Sequence, residues 1–229
     1  MYTPQPPSLI TTLGESLTPL EFTRLFAASP SLATEQRGNG DTVLVLPGLG
    51  AGNRSTALLR GYLTWLGYAV HGWQLGRNTG DVAGMLPIVV EQIQALQQQS
   101  GDKIHLIGWS LGGIVAREAA RDNPTLVKQV ISLGSPIVGG PKYTAMGNMY
   151  ERQGVDVDAI AATIASRESN PIAVPVTSVY SKRDGIVGWQ ASIDKYSKGA
   201  DHFEVNATHF GLGISPQVYR ILARKLAKA

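Results

Sequence analysis

One serine stands where the sequence is best suited to nucleophilic chemistry. Gly108, Ser110 and Gly112 form a G-x-S-x-G pattern between an apolar run, 104–107, and a helical stretch, 114–120. A strand that turns sharply into a helix holds such a serine in a strained conformation and presents its hydroxyl at the end of the sheet. Side chains at positions 108 and 112 would collide with neighbouring chain, which explains the two glycines. With 26 glycines in 229 residues the pattern also arises by chance, so its value depends on the serine's partners.

The first partner is a base, because a serine hydroxyl is a weak nucleophile at neutral pH. Of the four histidines, we expect His71 and His105 to lie within strands and His202 to open the last strand. His209 follows that strand in a loop at its carboxyl end, where the active residues of parallel sheets lie. We therefore expect His209 to be the base.

The second partner is an acid that orients the imidazole. Asp184 lies just after a predicted strand, 174–180, again at a carboxyl end. In isolation, a surface turn explains this Asp-Gly pair equally well. The chain order Ser110, Asp184, His209 is that of nucleophile, acid and base in one class of serine enzymes, which favours Asp184. The alternative acids are Asp194 and Asp201.

The elements that must position these residues alternate along the chain. Short apolar runs, typical of strands buried on both faces, are separated by amphipathic helical stretches. The predicted strands are 42–46, 68–73, 104–107, 126–133, 174–180 and 202–205. The main predicted helices are 53–66, 81–99, 114–120 and 216–228. This alternation predicts an α/β fold with a doubly wound, mostly parallel six-stranded sheet.

Two segments lie outside this alternation. We expect residues 1–40 to form an N-terminal extension with an extended, proline-rich start and a helix from Pro19 to about Ala28. That helix is expected to bury Leu20, Phe22, Leu25 and Phe26. Segment 139–173 is expected to form one or two small helices, as a cap-like insertion. We treat residues 1–229 as one domain.

Together these residues resemble the α/β-hydrolase superfamily, and within it the small lipases and esterases. The resemblance covers about residues 42–228 and includes Pro47-Gly48-Leu49-Gly50 after the first strand and Gly134-Ser135-Pro136-Ile137. It implies a reduced α/β-hydrolase fold with a small helical cap. It also implies that the amides of Leu49 and Leu111 hold the oxyanion and that no cofactor or metal is needed.

The candidate substrate-binding residues lie close in sequence to predicted catalytic or oxyanion-hole residues, in segment 134–137 or in the cap-like insertion. They are Gly48, Trp109, Ile137, Met146, Met149 and Val187. The apolar side chains of the insertion could equally pack on the core.

The resulting hypothesis is a carboxylic-ester hydrolase in which Ser110 attacks the acyl carbonyl and His209 accepts its proton. An acyltransferase or a thioesterase would use the same three residues. A binding protein could keep the scaffold without turnover, since a fold does not determine a function.

The composition argues against several other classes of function. The chain has no cysteine, which excludes disulfides and thiolate catalysis. The net charge is +3, and the basic residues are not interleaved with aromatic ones, so no nucleic-acid partner is expected. There is no run of 18 apolar residues and the start lacks the features of a signal peptide, so we expect no membrane span and a cytoplasmic location. The expected partner is a small-molecule ester, and the oligomeric state stays open.

Overall fold

The computed structural model describes residues 3–228 and centres on a six-stranded sheet in which each neighbouring pair of strands is parallel. The strands are β1 (Thr42–Leu46), β2 (Ala69–Gly72), β3 (Ile104–Trp109), β4 (Val127–Leu133), β5 (Val176–Tyr180) and β6 (Asp201–Glu204). Their order across the sheet is β2-β1-β3-β4-β5-β6. The predicted parallel sheet of six strands is confirmed.

Eight helices accompany the sheet in the described part of the chain. They are α1 (Leu9–Gly14), α2 (Pro19–Leu32), α3 (Ala57–Leu66), α4 (Val82–Ser100), α5 (Leu111–Asp122), α6 (Gly147–Arg152), α7 (Val157–Arg167) and α8 (Pro216–Leu226). α3 and α8 pack on one face of the sheet, through side chains such as Leu63 and Leu222. α4 and α5 pack on the other face, through side chains such as Ile93 and Ala116. The sheet is therefore doubly wound, as predicted.

Burial of the strands follows from this layering. β1 and β3 lie in the middle of the sheet and are buried along their whole length. Strands covered by helices on both faces are mainly apolar, as residues 43–46 of β1 and 106–109 of β3 are. The edge strands β2 and β6 are more exposed.

The predicted helix near the N-terminus, α2, buries a side that only partly matches the prediction. α2 runs on to Leu32, past the predicted end at Ala28, and includes Pro30. The expected burial of three side chains is wrong: Leu20, Phe22 and Phe26 are 53%, 52% and 83% exposed. Leu25, the fourth residue predicted to be buried, does face inward, in a stripe of residues spaced by four, three and four positions. These are Glu21, Leu25, Ala28 and Leu32. The stripe contains a glutamate and an alanine, so its apolar character is weak. The larger apolar residues beside it were therefore wrongly expected to be the buried ones.

Two further segments complete the chain. The start is not extended throughout, since α1 and a 3₁₀ turn (Glu15–Leu17) precede α2. Segment 139–173 contains a 3₁₀ turn (Gly140–Tyr143) followed by α6 and α7. None of the helices within residues 3–228 has the length and apolar character needed to cross a bilayer.

Candidate active site

Ser110 occupies the sharp turn between β3 and α5. Its backbone has φ 53° and ψ −123°, which non-glycine residues rarely adopt. The turn is fixed on both sides: the Ser110 amide donates to the Leu133 carbonyl at 2.8 Å, and the Ser110 carbonyl accepts from the Gly113 amide at 3.0 Å. Strained residues of this kind persist where their surroundings hold them and are concentrated at functional sites.

The glycines around Ser110 allow the main chain to approach closely. A Cβ at Gly108 would lie 2.3 Å from the Gly112 carbonyl oxygen, and a Cβ at Gly112 would lie 2.4 Å from the Leu46 carbonyl oxygen. In the loop after β1, a Cβ at Gly48 would lie 3.1 Å from the Ser110 Cβ. This loop is therefore held directly against Ser110.

The predicted oxyanion donors, the amides of Leu49 and Leu111, belong to the two segments that meet here. Leu111 is the first residue of α5, where amides have no intrahelical acceptor and the helix dipole is positive. Leu49 follows Gly48 in the loop after β1. Within residues 3–228, neither amide donates a hydrogen bond to another protein group. Both are available as donors, and their role in an oxyanion hole stays a prediction.

Asp184 and His209 form a buried pair. His209 Nδ1 lies 2.7 Å from Asp184 Oδ2, and both residues are almost fully buried. The other carboxylate oxygen of Asp184 accepts from the amides of Ile186 and Val187 at 2.9 and 2.7 Å. Donation from Nδ1–H to the carboxylate leaves Nε2 of the neutral imidazole as an acceptor. That is the tautomer a general base needs.

Electrostatics favour the protonated form of His209. Burial lowers the pKa of its imidazole, but the charge of Asp184, the hydrogen bond to Asp184 and the charge of Glu15 together raise it. The net result is a pKa above the ordinary histidine value.

Two observations place His209 near the neighbouring ends of β3 and β4. The Trp109 Nε1–H donates to the His209 carbonyl oxygen at 3.2 Å. Gly134 follows Leu133 at the end of β4, and a Cβ there would lie 2.9 Å from Asp184 Oδ2 and 3.3 Å from His209 Nδ1. Within the described residues, no hydrogen bond joins the Ser110 hydroxyl to His209. Such bonds are often long without substrate and tighten when it binds.

Known structures share this architecture. A family model described as alpha/beta hydrolase fold matches residues 81–155. The monoacylglycerol lipase of Paleococcus ferrophilus superposes with a TM-score of 0.61 at 16% identity, over 85% of this chain and 96% of that chain. A lipase-esterase related protein of Clostridium acetobutylicum superposes with a TM-score of 0.62 at 18% identity, over 84% and 96%. This chain has the α/β-hydrolase fold.

One curated relative matches this chain distantly in sequence. The pimeloyl-(acyl-carrier protein) methyl ester esterase of Aeromonas hydrophila is 30% identical over 112 residues. The match covers 46% of this chain and 42% of the esterase, so it spans less than half the length of that relative. The predicted resemblance to the α/β-hydrolase superfamily is confirmed.

The alternative acids, Asp194 and Asp201, are engaged elsewhere. Asp194 Oδ2 lies 2.6 Å from Nη1 of Arg117, which is on α5. Burial raises the pKa of Asp194, but the charge and hydrogen bond of Arg117 outweigh it and lower the pKa to about 2. Asp201 pairs with Lys225.

Two of the remaining histidines have structural partners. His105 is fully buried, with Nε2 3.2 Å from Asp41 Oδ2 and Nδ1 3.0 Å from Gln129 Nε2. His202 lies in β6, and its Nε2 is 3.0 Å from the Asp194 carbonyl oxygen. Neither bonds to Asp184, in contrast to His209.

The candidate substrate-binding residues differ in exposure. Four of them are buried, namely Gly48, Trp109, Ile137 and Val187. Met146 is half-buried and Met149 is exposed, and both lie in segment 139–173. Their role in substrate binding stays a prediction.

Glu15, which contacts both loops of the Asp184–His209 pair, was not among the residues predicted from the sequence. Its Oε1 accepts from the amides of Gly185 and His209 at 2.8 and 2.7 Å, and its Oε2 accepts from the Phe210 amide at 3.1 Å. These donors are main-chain amides, so no motif in the side chains marks the contact.

Proposed function

We propose that this α/β-hydrolase is a serine carboxylic-ester hydrolase that acts through an acyl-enzyme on Ser110. The observation that carries the proposal is the buried Asp184–His209 pair beside the strained turn of Ser110. This combination provides a hydroxyl on a strained turn, a base with an available nitrogen and an acid that orients the base.

In the first step, Ser110 Oγ attacks the acyl carbonyl carbon while His209 Nε2 takes the hydroxyl proton. The amides of Leu49 and Leu111 stabilise the negative charge that develops on the carbonyl oxygen. The bond from the acyl carbon to the alcohol oxygen then breaks, and the alcohol leaves with the proton held by His209. Ser110 is left as an ester of the acyl group.

In the second step, water attacks the acyl-enzyme and gives a proton to His209. The bond from the acyl carbon to Ser110 Oγ breaks, the proton returns to Oγ, and the carboxylic acid is released. Throughout, Asp184 holds the imidazole in one tautomer and stabilises its charged form.

Similar proteins support ester hydrolysis rather than another use of the fold. Those described above include a monoacylglycerol lipase and a methyl ester esterase. Both names describe attack on a carboxylic ester. We therefore propose a small-molecule ester as the substrate.

Hydrolysis of p-nitrophenyl esters of increasing acyl length tests this function. Wild type is expected to release p-nitrophenol and free acid, Ser110→Ala to fall to the uncatalysed rate, and the control Ser100→Ala, at an exposed position at the end of α4, to match wild type. Wild type without turnover across the series, or full activity in Ser110→Ala, would contradict the proposal. Transfer of the acyl group to added butanol in place of release as the acid would indicate an acyltransferase.

A further inference from the structure

Residues 11–18 of the N-terminal segment pack against the two loops that carry Asp184 and His209. We propose that Glu15 is a positioning residue of the proposed ester hydrolase: its carboxylate accepts hydrogen bonds from both loops and so fixes their relative position. This inference rests on the proposed function, to which it adds a residue outside the predicted triad.

The hydrogen bonds of Glu15 are directed to both loops at once. Oε1 accepts from the amide of Gly185, next to Asp184, at 2.8 Å and from the amide of His209 at 2.7 Å. Oε2 accepts from the Phe210 amide at 3.1 Å. Bonds to an ionised acceptor are stronger than neutral ones, and three of them from two loops fix the separation of those loops.

Neighbouring contacts show that the whole segment is fitted to this position. The Thr12 hydroxyl donates to the Gly185 carbonyl oxygen at 2.8 Å, and the hydroxyls of Thr18 and Thr208 lie 2.8 Å apart. A Cβ at Gly185 would lie 2.3 Å from the Thr11 carbonyl oxygen, so the two main chains touch there. Glu15 thus lies at the centre of a packed contact.

The charge of Glu15 also acts on the imidazole. Two carboxylates influence His209: Asp184, bonded to Nδ1, and Glu15, bonded to the main-chain amide. The cations of the loop after β5 bind other groups, Lys182 to Glu204 and Arg183 to Asn206. Removing the negative charge of Glu15 should therefore lower the pKa of His209, while removing its oxygens should also loosen the loops.

Three variants separate these effects. Glu15→Gln removes the charge and keeps the shape and one acceptor oxygen, whereas Glu15→Ala removes all three hydrogen bonds. Glu35→Gln is the matched control, because Glu35 also lies in the N-terminal segment but pairs with Arg224 of α8. Glu15→Gln keeps the test available if Glu15→Ala does not fold.

The decisive readout is an NMR titration of the His209 imidazole, assigned with His209→Asn, together with the pH profile of kcat/KM. We expect Glu15→Gln to lower the His209 pKa by about half a unit and to move the acidic limb of the profile by the same amount. Glu15→Ala is expected to reduce kcat/KM by about tenfold or more, and Glu35→Gln to change neither quantity.

A role limited to stability would lower the melting temperature and leave the titration and the acidic limb in place. The inference is overturned if Glu15→Gln titrates like wild type and Glu15→Ala keeps the kcat/KM of Glu35→Gln. The titration needs no turnover, so it tests the role of Glu15 even if wild type hydrolyses no ester. Absence of ester hydrolysis would overturn the proposed function alone.

Discussion

The imidazole Nδ1 of His209 lies 2.7 Å from the Oδ2 of Asp184, and neither side chain is open to solvent. This contact joins the loop after β5 to the loop after β6 at the carboxyl edge of the sheet. It fixes which imidazole nitrogen carries the proton, and the mechanism depends on that choice.

Asp184→Asn should therefore lower kcat by about 10⁴-fold, because an amide at this place favours the wrong tautomer of His209. Initial rates on a p-nitrophenyl ester measure the effect. Asp201→Asn, at an exposed aspartate that pairs with Lys225, is the control and should keep wild-type activity. Loss of activity in the control with activity retained in Asp184→Asn would assign the acid to another residue.

The raised pKa of His209 predicts the pH dependence of activity. The base accepts a proton only when neutral, so kcat/KM should fall as the pH drops through this pKa. Because the pKa lies above the ordinary value of about 6.5, the acidic limb should lie above pH 6.5. A profile measured from about pH 5 to pH 9 tests this, and a half-maximum below pH 6.5 would be inconsistent with the Asp184–His209 geometry.

The same shift affects folding. A pKa raised in the folded state stabilises the protein fully below the unfolded value of about 6.5. That contribution disappears as the pH rises through the folded pKa of His209. Urea denaturation on both sides of the acidic limb would detect it, with His209→Asn as the control that lacks it.

Gly112 should be intolerant of a side chain. A Cβ there would lie 2.4 Å from the Leu46 carbonyl oxygen and 2.6 Å from that of Pro47, and main chain cannot move aside easily. We expect Gly112→Ala to cost about 2–3 kcal/mol of unfolding free energy and to reduce activity by displacing the loop that carries Leu49.

Gly61→Ala is the matched control for this change. Gly61 lies in α3, and a Cβ there meets nothing within 4 Å. Alanine should stabilise the helix by about 0.5–1 kcal/mol. Urea midpoints of the two variants should therefore move in opposite directions, and equal tolerance at both positions would disprove the crowding at Gly112.

Arg117 should contribute strongly to stability, because it compensates a buried carboxylate. Its guanidinium lies 2.6 Å from Asp194 Oδ2 and 3.4 Å from Glu168 Oε1. Arg117→Met should cost about 3–5 kcal/mol by leaving buried charge unpaired. Arg167→Met, at a partly exposed arginine that pairs with Glu118 and Asp122, should cost less than about 1 kcal/mol. Comparable losses in the two variants would contradict this assignment.

The strands and the position of Ser110 could be predicted because their signals are local. A strand buried on both faces is mainly apolar, as residues 43–46 of β1 and 106–109 of β3 are. The pairing of Asp184 with His209 also followed from the sequence, because both residues come directly after strands of one parallel sheet.

How the N-terminal segment packs on the rest of the chain could not be predicted, for the opposite reason. Its position depends on partners far along the chain: Glu15 binds main-chain amides at positions 185, 209 and 210. The inward side of α2 is set by packing against α8 rather than by the largest apolar residues. Neither of these long-range contacts can be inferred from residues that are close together in the sequence.

Covalent labelling shows directly whether Ser110 is the nucleophile of the proposed ester hydrolase. An active-site-directed fluorophosphonate, followed by peptide mass spectrometry, should modify Ser110 at a stoichiometry of about one, and Ser110→Ala should remain unlabelled. Labelling should also be slowed in His209→Asn, because the hydroxyl then lacks its base. A folded wild-type protein that takes up no label, or takes it up at a different serine, would contradict the account.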